Sequence, residues 1–109
     1  MSENAEKNLE IVRGEPILIK IGAAEETVKR LSISDQIGVM DLIMEGGDAS
    51  NKFAIERMIK IISTALKREI SMEDFSSAAQ IVGAFNKIWT QNEFDFLLVE
   101  VGKVRLKAN

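Results

Sequence analysis

The chain contains no histidine, no cysteine and no tyrosine. Each absence removes a chemistry. Without imidazole or thiol, the commonest general bases, covalent nucleophiles and zinc ligands are missing. Serines are present, but no Gly-x-Ser-x-Gly elbow holds one, and no imidazole could activate it. Without cysteine no disulfide can staple the fold, which suits a reducing compartment. No apolar run approaches the ~20 residues that span a bilayer. The polar start, MSENAEKNLE, lacks the basic and apolar regions of a signal peptide. With a net charge of −3 and no clustered basic face, the chain carries no nucleic-acid footprint. Lys103, Arg105 and Lys107 form one small basic group, read as a solvated tail.

Acidic and glycine-rich segments give no site either. Glu25/Glu26 and Glu73/Asp74 are carboxylate pairs near helix starts or loops, where acids are favoured anyway. Asp41, Glu45 and Asp48 beside Gly46-Gly47 lack the alternating ligands and closing glutamate of a calcium loop. The same glycines lack the Gly-Lys-Ser/Thr ending of a phosphate loop. The expectation is a protein without catalytic residues, metal or cofactor, acting in the cytoplasm.

What is present specifies a fold. At 109 residues with 46% hydrophobic and 28% charged, the chain reads as one globular domain with a modest core. We expect residues 1–8 to be disordered, 9–102 to form the domain and 103–109 to fray. Leu9–Arg13 and Ile17–Ile21 are short β-rich runs around a Gly14-Glu15-Pro16 break, which suggests a hairpin. Thr27–Leu31 can add a strand. Helices follow. Ser32 or Ser34 can cap the first, whose stripe is Ile33, Ile37, Met40 and Met44, widened by Ile43 and stopped at Gly46-Gly47. Ser50 or Asp48 can cap the second, with Ile55, Met58, Ile59, Ile62, Ala65 and Leu66 inward and an end near Arg68. Ser71-Met72-Glu73-Asp74 resembles a capping box opening a third helical region. Thr90-Gln91-Asn92-Glu93 resembles another, for a short helix from about Asn92 to Val101, although VEVGKVRL also alternates like a strand. The fold class is mainly α with a small N-terminal β segment: an α+β chain with a short hairpin and a compact bundle of three to four helices.

The third helix carries apolar residues on two sides. Phe75, Ala78, Ala79, Val82, Phe85 and Trp89 share one face, and Ile81, Ala84 and Ile88 share another. Such a helix is either central to the core or offers one face to a partner. Gly83 on it could permit a close helix crossing. Phe96 falls off the stripe of Trp89 and Phe94. The candidate partner-binding residues are therefore Ile81, Ala84, Ile88 and Phe96. Met40, Met44 and Met58 lie on core stripes.

The order of elements resembles the tail assembly chaperones of long-tailed bacteriophages and prophages over about residues 9–95. The resemblance rests on a strand leading into the helix start Val28-Lys29-Arg30-Leu31-Ser32-Ile33-Ser34-Asp35, and on a glycine-rich acidic loop. It rests also on a helix of the Ile59-x-x-Ile62-x-x-Ala65-Leu66 kind ending ALKR, and on Ser71-Met72-Glu73-Asp74-Phe75 opening the next. It implies a non-catalytic assembly factor that binds the tape measure protein, keeps it soluble and recruits tail tube subunits. Several copies on one ligand would favour a homo-oligomer. The other reading is a different small phage or bacterial interaction protein, such as a virion connector component, a regulator or an antitoxin-like partner.

Overall fold

The computed structural model of the chain describes residues 15–47 and 50–108. A two-stranded antiparallel hairpin, β1 (Ile17–Ile21) and β2 (Ala24–Val28), precedes four helices. These are α1 (Ile33–Met44), α2 (Asn51–Leu66), α3 (Ala78–Gln91) and α4 (Phe94–Ala108), with a 3₁₀ turn at Met72–Asp74. The hairpin turns at Gly22-Ala23, with Ile21 opposite Ala24. The sequence had suggested a hairpin about Gly14-Glu15-Pro16, and its first strand, Leu9–Arg13, lies outside the described residues. The disordered stub expected over residues 1–8 lies outside them too. β2 starts at Ala24, three residues earlier than the suggested strand at Thr27. Among the described residues no helix is long and apolar enough to cross a membrane.

β1 alternates strictly, burying Ile17, Ile19 and Ile21 and exposing Leu18 and Lys20. That period-2 pattern makes one apolar face, which must be covered. Helix α3 covers it. Ile81, Ala84 and Ile88 enter the same core as the β1 isoleucines, Val28, and Ile59, Ile61 and Ile62 of α2. The two-sided helix is thus the central one. Ile81, Ala84 and Ile88 cannot serve as a partner face, because β1 and α2 fill that side. The other face is only half covered at Val82, Phe85 and Trp89, and Ala78 and Ala79 are exposed. Gly83 is exposed with open space beside its Cα, so it marks no helix crossing.

Serine caps set the helix starts. The Ser32 hydroxyl accepts from the Asp35 N–H at 3.1 Å, Ser50 from Phe53 at 3.2 Å and Ser77 from Gln80 at 3.2 Å. Each satisfies an orphan donor of a first turn. Ser71 and Asp74 do form a reciprocal capping box, but it closes the 3₁₀ turn, and α3 opens only after Ser77. Thr90 caps nothing, since α3 runs on to Gln91. Glu93, at φ 55°, makes the sharp left-handed bend into α4. Helix α4 then continues to Ala108, so residues 103–108 are not a frayed tail and VEVGKVRL is not a strand. Glu25 and Glu26 lie on β2, and Glu26 pairs with Arg68 beyond the end of α2.

The hairpin tip is held by one side chain. Gln80 Oε1 accepts from the Gly22 N–H at 2.7 Å and from the Ser76 N–H at 2.9 Å, while its Nε2 donates to the Gly22 carbonyl at 3.0 Å. Gly22 has φ +64°, and a Cβ there would lie 2.9 Å from the Asp74 carbonyl oxygen. Gly22→Ala therefore meets both backbone strain and a clash with main chain that cannot swing away. The expected cost is about 2 kcal/mol, read as a lower urea midpoint at an unchanged slope.

Candidate protein-binding groove

Helix α1 is turned about a quarter of a revolution from the orientation its sequence suggests. The stripe Ile33, Ile37, Met40 and Met44 was expected in the core. Instead Gln36 and Val39 are buried, and Ile33, at 77% exposure, and Ile37 and Met44 face outward. Only Met40 of the stripe packs partly against the core. The cause is a polar cluster inside. Asn92 Oδ1 accepts from the Leu31 N–H at 2.9 Å and from Gln36 Nε2 at 3.1 Å. Asn92 Nδ2 donates to the Ile88 carbonyl at 2.9 Å, and Gln91 Nε2 donates to the Val28 carbonyl at 2.9 Å. Buried amides must be paired, so Gln36 is drawn in and the apolar stripe is carried to the flank.

Helix α4 is anchored at one end. Phe94 is fully buried, and Trp89 stacks between Phe85 and Phe94 with ring centroids 5.4 Å apart in each pair. The Trp89 Nε1–H donates to Asp95 Oδ1 at 2.8 Å. Leu97 packs partly against the core. Beyond it Val99, Val101, Val104 and Leu106 are exposed, as is Phe96 at 60%. At helical spacing these make two stripes. Phe94, Leu97, Val101 and Val104 continue the anchored side, and Phe96, Val99 and Leu106 form an outer one.

Between α1 and the far half of α4 lies a groove of about 880 Å³. Ile37, Met40, Met44 and Val101 line it, with Asp41 and Arg105 at the rim. Arg105 Nη1 reaches Met44 Sδ at 3.0 Å. A second cleft of about 300 Å³, walled by Phe53, Phe85 and Trp89, opens between α2 and α3. There Arg57 stacks on Phe53 and donates to the carbonyls of Ile43 and Glu45.

Of the ten large apolar side chains exposed among the described residues, only Leu18 and Met72 lie off α1 and α4. Concentrated apolar surface of this kind marks a contact site, whereas scattered single residues need no explanation. Of the four candidate partner-binding residues, Phe96 alone lies on it, and the structure does not bring it together with Ile81, Ala84 and Ile88. The sequence reading missed Ile33, Ile37 and Met44 by placing them in the core, and Val104 and Leu106 by ending the helix early. One signal was available for α1: its apolar residues cover most of the helix circumference, more than one core face requires. No protein-family model matches the chain, and no match is found among curated proteins or solved structures.

Proposed function

We propose that this chain is a non-catalytic assembly factor of the tail assembly chaperone kind, acting in the host cytoplasm. On this reading it holds an apolar helical segment of the tape measure protein against α1 and α4 and helps recruit tail tube subunits. The observation that supports it is the gathering of exposed apolar side chains on those two helices. A long helical client is prone to aggregate through its own apolar faces. A groove lined by isoleucine, valine and methionine accepts one such face as helix in groove, and methionine adapts to varied side chains.

The test is co-expression with a tape measure protein of a long-tailed phage or prophage. Wild type should keep that client soluble and co-purify with it. Ile37→Asp puts a charge in the groove at a half-exposed position, so stability should change by no more than about 0.5 kcal/mol. Client affinity should fall at least about tenfold. A client that stays insoluble, with no complex recovered, removes the proposal.

A further inference from the structure

We infer that, in the absence of a client, this groove is closed by a second copy of the chain. The outer stripe of each α4 would seat on α1 of the other copy. The inference rests on the groove being a protein-binding site and specifies how that site is covered when empty.

Charge selects this occupant. From Ile33 to Glu45 the chain carries Asp35, Asp41 and Glu45 and no basic residue, a net charge of −3. The last turn of α1 contains no basic residue of its own, and the Arg57 guanidinium of α2 lies against its end, on the Ile43 and Glu45 carbonyls. After Gly102 the chain carries Lys103, Arg105 and Lys107 and no acid, a net charge of +3. Within one molecule Arg105 approaches α1, and there it meets a sulfur atom. Lys103 is spent on Glu100, one turn back at 2.8 Å, an exposed pair of little strength.

Both surfaces are also apolar: Ile33, Ile37 and Met44 on α1, and Phe96, Val99 and Leu106 on α4. A patch that is acidic at one end and basic at the other is complementary to itself under a two-fold axis, the commonest symmetry of protein dimers. Two such contacts form at once, α1 with α4 of the second copy and the reverse. Side chains of this size expose roughly 100 Å² each, so the six on the two facing stripes supply roughly 600 Å² per partner, and the charged side chains beside them carry the contact toward the ~800 Å² of a stable interface. The pairing also accounts for the two stripes of α4, one for its own body and one for its neighbour.

The test is sedimentation velocity on the full chain over about two decades of concentration. Wild type should pass from monomer to dimer. Asp41→Lys/Glu45→Lys and Lys103→Glu/Arg105→Glu change only exposed side chains. Each should weaken self-association at least about tenfold by opposing like charges at both contacts. Mixing the two should restore a dimer, because one contact then pairs lysine with glutamate and the other keeps its native charges. A wild type that stays monomeric overturns the inference. So does a dimer that charge reversal leaves intact, or a mixture that stays monomeric. Client binding is measured separately: a dimer that forms but binds no client leaves this inference standing and removes the proposed function.

Discussion

Ile88→Asp should abolish folding. Ile88 has 0% exposure at the centre of the core, where α3 meets β1 and α2. A carboxylate there has no partner, and an unpaired buried charge is among the costliest changes a core can suffer. The expected loss exceeds about 4 kcal/mol, a large share of the 5–15 kcal/mol that holds a typical domain together. Phe96→Asp, two turns further along the chain, should change stability by about 0.5 kcal/mol or less and weaken only the binding of a partner. Ile88→Val, which removes one methylene, should cost about 1 kcal/mol and shows whether the site is packed. Urea titration followed by circular dichroism separates the three. If Ile88→Asp instead folded with a wild-type midpoint and lost only binding, the α3 face would be a surface and the core assigned above would be wrong.

The second large effect belongs to Asn92. It is fully buried, and its side chain ties the end of α3 to the segment before α1 and to α1 itself. Asn92→Leu would leave the Leu31 N–H and the Gln36 amide buried without partners. The Ile88 carbonyl would keep the Asn92 backbone N–H, at 3.1 Å. Each unsatisfied group costs about 1–3 kcal/mol, so a loss of about 3 kcal/mol is expected. Gln36→Leu added to Asn92→Leu should recover part of it, since the glutamine no longer strands an amide in an apolar pocket. A double-mutant cycle reads this as a coupling of about 1 kcal/mol or more. An Asn92→Leu variant as stable as wild type would show that the cluster does not fix the rotation of α1.

The same cluster explains where the sequence was legible and where it was not. Two helix starts were readable because a cap is local: Ser32 and Ser50 act within three residues of themselves, whereas the Ser71 capping box drew attention away from Ser77, the actual cap of α3. The inward stripe of α2 was readable because Ile59 and Ile62 repeat at helical spacing with charged residues opposite. The rotation of α1 was not readable. It depends on an amide contact between Gln36 and Asn92, 56 positions apart, and a periodicity argument assigns glutamine to solvent. The α3 face was ambiguous for a related reason. Two apolar sides say that a helix has two neighbours, but only the β1 register shows that Ile81, Ala84 and Ile88 meet the isoleucines of the hairpin. Thr90-Gln91-Asn92-Glu93 has the form of a start signal, yet the bend is made by the positive φ of Glu93, which residue type does not announce. The groove was thus hidden in plain residues. Its lining was visible as apolar stripes and was assigned inward, as such stripes usually are.

The central claim is that α1 and the far half of α4 form the surface that holds a protein partner. Hydrogen exchange with and without a tape measure protein, at concentrations that keep the free chain monomeric, tests it most directly, because those helices should open readily when bare. The account predicts that binding slows exchange over residues 33–44 and 96–106 and leaves α3 unchanged. Slowing confined to α2 and α3, with α1 and α4 exchanging as in the free chain, would contradict it.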